Sequence, residues 1–252
     1  MQAVNDSQRT VAVILVAGRG MRLRPLTDSL PKCLVTVAGF PILHRQLEAL
    51  QTCRVSEIFL VVGYCADAVR SYVRKFFPTL NINFVENPRF FNTNTLYSLA
   101  LAADRVGEGR RVILLNGDVV FDHDILKSVL AVSEEKSVVA LQMRPCGEEE
   151  IKVTLSANGS IAKLNKSISL SESIGEGVGI NLFAPYFWGR LSHHLRQLQD
   201  RHPTQYFEYA IEKTIEDGEK IFPLDVKNSS IIEVDFPKDL EKAEKLFIRS
   251  SK

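Results

Sequence analysis

Apolar and polar positions alternate along the first half of the chain in a strand-and-helix rhythm. Val11-Ala12-Val13-Ile14-Leu15-Val16 is an unbroken apolar run, the mark of a strand buried on both faces, and Gly18 and Gly20 end it. Cys33 to Val37 reads as a short strand and Ala38-Gly39-Phe40-Pro41 as a turn. Over 41–53, Ile42, Leu43, Leu47 and Leu50 recur on one face of a helix. Strands follow at 57–62, 83–86 and 111–115, with helices between them at 66–77 and 95–103, the second capped by Thr93 or Asn94. A helix over 122–131 closes this run. The alternation predicts a mainly parallel, Rossmann-like α/β sheet covered by helices, with a ligand crevice at the carboxyl ends of its strands.

Beyond it the rhythm changes. A strand at 137–143 precedes two strands, 151–155 and 160–164, whose Asn158-Gly159 link is a hairpin signal. A short strand at 178–183, helices at 185–200 and 207–217, strands at 221–224 and 231–234, and a terminal helix over 239–249 complete the pattern. No repeat or long linker interrupts it. The expected organisation is one domain over 11–252, its halves 11–135 and 136–252, behind a flexible lead-in at 1–10.

Composition narrows the function classes. The chain has 252 residues, 45% hydrophobic and 24% charged, as expected of a globular protein. A formal net charge of +1 argues against a nucleic-acid-binding surface, but leaves room for a local cationic site. No apolar run approaches the roughly 18 residues of a membrane helix, and the polar start lacks a signal-peptide core. The four cysteines form no Cys-x-x-Cys pair and read as reduced thiols of a cytoplasmic protein. Cys33 lacks a nearby activating His or Asp, so nucleophilic catalysis is not expected there.

Three strand ends carry the candidate chemistry. After the first, Gly18 and Gly20 sit among Arg19, Arg22 and Arg24, and Pro31-Lys32 closes the segment. Glycines let backbone N–H groups approach an anion, and the cations neutralise it. The segment matches neither Gly-x-x-x-x-Gly-Lys-Ser/Thr nor the three-glycine dinucleotide fingerprint, and Lys32 stands where a ribose-binding acid is required; a Rossmann oxidoreductase is disfavoured. The second is Leu114-Leu115-Asn116-Gly117-Asp118, where Asp118 holds a hard divalent cation, caps the next helix or simply turns the chain. The third is Ile232-Glu233-Val234-Asp235-Phe236-Pro237. Asp118 and Asp235 could share one metal, which with the cationic loop implies displacement of pyrophosphate from a nucleoside triphosphate.

Leu15-Val16-Ala17-Gly18-x-Gly20-x-Arg22-Leu23-x-Pro25-Leu26-Thr27, followed by Pro31-Lys32, resembles the signature of the sugar-phosphate nucleotidyltransferase superfamily. Leu115-x-Gly117-Asp118 and Glu233-Val234-Asp235-x-Pro237 resemble its two metal-ligand segments. Asn87-Pro88 and Asn94-Thr95-Leu96-Tyr97-Ser98-Leu99 are similar to the phosphocholine cytidylyltransferase-like branch; the Gln and Gly-Thr/Leu-Ala segments usual in hexose-1-phosphate members are missing. Gly175-Glu176-x-Val178-Gly179-Ile180 and Tyr206-Phe207-Glu208-Tyr209-Ala210 resemble that branch's acceptor lobe.

The resemblance implies a GT-A-like fold with a nucleotide-binding half, a smaller acceptor-binding half, and Mg²⁺ as cofactor. Backbone groups of Val16, Ala17, Gly18, Arg19 and Gly20, with Asn116 and Gly117, would hold the nucleotide. Arg22 would grip its outer phosphates, Lys32 would neutralise the α-phosphate, and Asp118 and Asp235 would hold the metal. Asn87, Thr95 and Ser98 are candidates for the base, and Lys152 or Lys166, Glu176, Asn181 and Glu208 for the acceptor. Either lysine could instead be a solvated strand-edge residue. Tyr186, Trp188, Tyr206, Phe207 and Tyr209 could cage a cationic head group, or could simply pack. The implied reaction moves CMP from CTP to a small phosphorylated or phosphonylated alcohol, in a possible homo-oligomer. The alternatives are a sugar-1-phosphate nucleotidyltransferase using UTP, dTTP or GTP, and a non-catalytic nucleotide-binding regulatory protein.

Overall fold

A computed structural model describes residues 10–226 and 229–248. The lead-in expected at 1–10 therefore lies outside the described residues, except that Thr10 already opens the first strand. That strand, β1 (Thr10–Leu15), is buried throughout. After it come the two-residue strands β2 (Thr36–Val37) and β3 (Phe40–Pro41), α1 (Ile42–Thr52), β4 (Glu57–Val62), α2 (Ala66–Phe76), β5 (Asn81–Glu86), α3 (Thr95–Val106) and β6 (Arg111–Asn116). β1 pairs in parallel with β4 and β6, and β5 joins β4 in parallel, so these strands all end at one edge. The period-2 rule explains the apolar run of β1. Ala12 and Ile14 pack under α1 and α2, while Val11, Val13 and Leu15 pack under α3 on the other face.

The segment 33–37 is not the single strand the sequence predicts. Lys32–Leu34 forms a 3₁₀ turn behind Pro31, and only Thr36–Val37 is extended. The turn buries Cys33 and Leu34 in the core and leaves Lys32 facing the strand ends. The sequence reading also omits β7 (Val119–Phe121), which directly follows the Asn116-Gly117-Asp118 corner.

Then come α4 (His123–Leu130), β8 (Ser137–Gln142), the hairpin β9 (Lys152–Leu155) and β10 (Ile161–Asn165), and β11 (Gly175–Phe183). α5 (Pro185–Leu198), α6 (Glu208–Glu216), β12 (Ile221–Asp225), β13 (Ile231–Glu233) and α7 (Pro237–Ile248) follow; Arg249, the expected end of the last helix, lies outside the described residues. β11 is the longest strand and the switch point. It runs antiparallel to β6 through Ile180 to Phe183 and to β8 from Glu176 to Leu182, and its start carries β9 past the end of β6. The second half thus extends the same sheet and walls the crevice. β13 pairs antiparallel with β7, Glu233 opposite Val119, and the Val234 N–H donates to the Asp118 carbonyl at 3.0 Å. That small ribbon lays Asp235 beside Asp118.

Gly117 permits this corner. Its N–H donates to the Leu15 carbonyl at 3.0 Å, and a Cβ at this position would lie 2.4 Å from that same oxygen. Gly117→Ala must therefore push the ends of β1 and β6 apart. It is expected to destabilise the fold by about 1–3 kcal/mol, read as a lower urea midpoint.

Candidate active site

The loops after β1, β5 and β6 open onto a cleft of about 1010 Å³ at the carboxyl edge of the parallel strands. Among the described residues, the backbone N–H groups of Ala17, Gly18, Arg19 and Gly20 donate to no protein acceptor. Gly20 has φ +67, and a Cβ there would meet the Lys32 Cβ at 2.8 Å, so the glycine lets the loop lie against the lysine stem. A run of free N–H groups in such a turn makes an anion-binding concavity. Val16 is outside it. Its N–H donates to the Val61 carbonyl and its side chain is buried in the core. Arg19 turns away, with its guanidinium over the Tyr64 ring at 5.3 Å. Gly117 spends its N–H on Leu15, whereas the Asn116 side chain lines the cleft with Oδ1 unpartnered.

Facing the loop is a charge cluster assembled from distant parts of the chain. Lys32 Nζ lies 2.7 Å from Asp118 Oδ2 and 2.6 Å from Asp235 Oδ1, partners 86 and 203 residues away in sequence. Arg22 reaches the other oxygen, Asp235 Oδ2, at 2.7 Å and lies over the Phe236 ring. Desolvation by itself lowers the Lys32 pKa, but Asp118 and Asp235 outweigh it and hold the ammonium above its ordinary range. Asp235 shows the converse. Desolvation raises it, yet Lys32 and Arg22 hold it below the usual carboxylate range.

The sequence reading assigns no role to Glu233. The carboxylate oxygens of Asp118, Glu233 and Asp235 lie within 4.8 Å of one another. Glu233 is open to the cleft, yet the protein mass around it desolvates the carboxyl. That and the charges of Asp118 and Asp235 push it up to about 8. The available signal was its spacing, two residues before Asp235 at the end of a strand, which puts both side chains on one face. The donor set fits a hard divalent cation: three carboxylates meet, and Asp118 Oδ1 is buried with no hydrogen-bond partner. Cys33, behind Lys32, is no nucleophile, since burial pushes its thiol up to about 12.

Gln46 is a further residue that sequence reasoning missed. It is buried on α1, and its Nε2 donates to the Asn116 and Val119 carbonyls at 2.8 Å each, clasping the corner that carries Asp118. No sequence motif marks it. Gln46→Leu is expected to lower kcat about 10–100-fold by loosening that corner, with the nucleotide KM nearly unchanged.

The base candidates form a framework. Asn87 is buried, its Nδ2 donating to Thr93 and Ser98 and its Oδ1 accepting from the Arg89 N–H. Thr95 Oγ1 accepts from the Phe207 N–H at 3.0 Å, tying the start of α3 to the start of α6. All three line the cleft.

Of the acceptor candidates, Lys166, Glu176, Asn181 and Glu208 line the cleft, and Lys152 does not. Lys152 is 2% exposed, with Nζ donating to the Glu148 carbonyl at 2.9 Å and more distantly to those of Gly147 and Glu150. It staples its own loop, neither reaching an acceptor nor lying solvated at a strand edge. Glu176 pairs with Arg144 at 2.9 Å, and burial raises it against that pull. The aromatic cage is not assembled. Trp188 is fully buried against Phe183 with its Nε1 on the Gly107 carbonyl, Phe207 is core, and Tyr186 is 71% exposed outside the cleft.

Residues 12–206 match the MobA-like NTP transferase domain. The chain belongs to that family. A CMP-5'-(3-aminopropyl)phosphonate synthase of Streptomyces rubellomurinus is 38% identical over 57% of this chain, which spans only 23% of that protein. The CTP:phosphoglutamine cytidylyltransferase of Campylobacter jejuni is 26% identical over 91% of this chain and 97% of its own length. Plant mannose-1-phosphate guanylyltransferases also match, the Arabidopsis thaliana protein at 31% identity over 69% of this chain and 50% of that one. The fold matches a CTP:phosphocholine cytidylyltransferase from Streptococcus pneumoniae with a TM-score of 0.76, 21% identity, and coverage of 94% of this chain and 98% of that one. No helix among the described residues is long and apolar enough to cross a membrane.

Proposed function

We propose that this member of the MobA-like family is a cytidylyltransferase that moves CMP from CTP to a small phosphorylated or phosphonylated alcohol. The free N–H groups of Ala17 to Gly20, facing the Lys32–Asp118–Asp235 cluster across one cleft, carry the reading. An acceptor phosphate or phosphonate oxygen forms a bond to the α-phosphorus. The bond from that phosphorus to the bridging oxygen breaks, and pyrophosphate leaves with the electron pair. The loop binds the triphosphate, Arg22 its outer phosphates, and Lys32 the charge that builds on the α-phosphate. Asp118 and Asp235, with Glu233 beside them, would hold Mg²⁺, which supplies charge neutralisation and orientation. Ser98 and Asn116 are assigned to the nucleotide and Lys166, Glu176, Asn181 and Glu208 to the acceptor, an assignment supported by their all lining this cleft. One domain then has a nucleotide-binding half up to about residue 135 and an acceptor half beyond it. Four free cysteines support a cytoplasmic setting.

The relative matched over nearly its whole length supports the choice of CTP. The guanylyltransferases among the matches keep a sugar-1-phosphate reading as the rival. Pyrophosphate release with CTP, UTP, dTTP and GTP, each against phospho-alcohols, phosphonates and hexose 1-phosphates, separates them. Turnover with a hexose phosphate and none with CTP would overturn the cytidylyl assignment. Nucleotide binding without turnover on any pair would leave a regulatory protein.

A further inference from the structure

The oxygens that would hold a metal are largely taken by the protein's own cations. Asp235 accepts from Lys32 at Oδ1, 2.6 Å away, and pairs with Arg22 at Oδ2, 2.7 Å away, so both of its oxygens carry a positive partner. Asp118 gives Oδ2 to the same ammonium at 2.7 Å and keeps only the buried Oδ1 unpartnered. Lys32 Nζ therefore bridges the two aspartates. A hard divalent cation bonds carboxylate oxygens directly, so it and the ammonium contend for one place.

Charge adds to the contest. Two protein cations face the three carboxylates of Asp118, Glu233 and Asp235. An arriving divalent ion meets carboxylates that are already in large part neutralised, and it is repelled by both neighbours at short range. The two are not equal obstacles. The Lys32 side chain is 13% exposed and the Arg22 side chain 47%, so solvent screens Arg22 more.

Both cations also border the anion loop. Arg22 lies in the 3₁₀ turn Met21–Leu23 that follows Gly20 directly, and the Lys32 stem packs against Gly20 itself. A polyphosphate held by the free N–H groups of Ala17 to Gly20 lies beside the two cations and offers them oxygens in place of those of Asp235.

We infer that Lys32 and Arg22 keep the metal place at Asp118 and Asp235 closed until a polyphosphate fills the loop. The phosphates draw both cations off Asp235, and the carboxylates then accept the divalent ion. Metal and nucleotide affinities are thereby coupled through two side chains, and the coupling is reciprocal. This rests on the metal and triphosphate assignments of the proposed function and adds to them what stands in the way of the metal beforehand.

The test is an electron paramagnetic resonance titration with Mn²⁺, without nucleotide, on the unaltered protein and on Lys32→Met, Arg22→Met and Arg24→Met. Lys32→Met is expected to bind Mn²⁺ about tenfold or more tighter than the unaltered protein, and Arg22→Met about threefold or more, because each removes a charge that occupies or faces the site. Arg24→Met removes the same charge from the same segment, but its guanidinium pairs with Asp28 at 2.8 Å, so Mn²⁺ affinity should not move. Adding Asp118→Asn to Lys32→Met should abolish the gain. Unchanged or weaker Mn²⁺ binding in both Lys32→Met and Arg22→Met overturns the inference. So does an equal gain in Arg24→Met, which marks an effect of net charge, or a gain that survives Asp118→Asn, which puts the ion elsewhere. Should Lys32→Met fail to fold, Arg22→Met, altered at a half-exposed side chain, decides. The readout is metal binding alone, so a negative result here leaves the cytidylyl reading standing, and a panel showing hexose phosphate turnover without CTP overturns that reading and not this one.

Discussion

Lys32→Ala is expected to lower kcat for pyrophosphate release by about a hundred- to a thousandfold, with KM for CTP changed by less than about threefold. The asymmetry follows from where the lysine stands. In the proposed function, triphosphate binding is distributed over the Ala17–Gly20 N–H groups and Arg22, and all of these survive the substitution. Among the described residues, Lys32 is the one cation whose stem packs on Gly20 and whose ammonium sits between Asp118 and Asp235. There, on the proposed reaction, it would meet the phosphate on which negative charge builds as the acceptor attacks. A group that acts mainly on the transition state appears in kcat, and one that binds uniformly appears in KM. A raised KM at unchanged kcat would make Lys32 part of the cradle and place the charge stabilisation elsewhere. Thermal unfolding is the control, because truncating one partner of a partly buried pair leaves the carboxylates unneutralised.

The elements that could be read from the sequence are those whose signal is local. The unbroken apolar run of β1 announces burial on both faces, and the faces of α1 and α3 follow from period-3.6 spacing. Asp118 and Asp235 stood out because each follows an apolar strand. What stayed hidden depends on distant partners. β7 is three residues long and exists because β13 pairs with it from the far end of the chain. Glu233 was visible in the motif, but nothing local says that its face turns toward Asp118. Gln46 lies on the apolar side of α1, where its pattern is that of an ordinary helix and only the β6 corner gives it a purpose. The lysines behave the same way. Composition could not distinguish Lys152, folded back on its own carbonyls, from Lys166, which lines the cleft. Aromatic spacing was equally mute, since Trp188 points to the core and Tyr186, on the same helix, to solvent.

Asp118→Asn separates the two roles the sequence leaves open for this residue. As a helix cap or turn former, Asp118 would cost about 1 kcal/mol of stability when replaced and leave turnover intact. The structure removes the cap role, since the cap of α4 is Asp122, and gives Asp118, in the turn between β6 and β7, contacts with Lys32 and, within 4.8 Å, the carboxylates of Glu233 and Asp235. Asparagine keeps the shape and removes the charge. One of three carboxylates is lost from the proposed metal-ligand set, and the buried, unpartnered Oδ1 position no longer offers an anionic donor to a hard cation. The expected result is a loss of about a thousandfold in kcat, the scale of a charge-stabilising group deleted from an active site. Weaker binding of Mn²⁺, a spectroscopic stand-in for Mg²⁺, should accompany it, by about tenfold or more in an electron paramagnetic resonance titration. The unfolding midpoint should stay near that of the unaltered protein, because the corner is held by the Gln46 side chain, by Gly117 on Leu15 and by Val234 on the Asp118 carbonyl, all of them bonds to backbone groups that the substitution leaves in place. Unchanged turnover and unchanged Mn²⁺ affinity would remove Asp118 from the metal site and leave Glu233 and Asp235 to carry it alone.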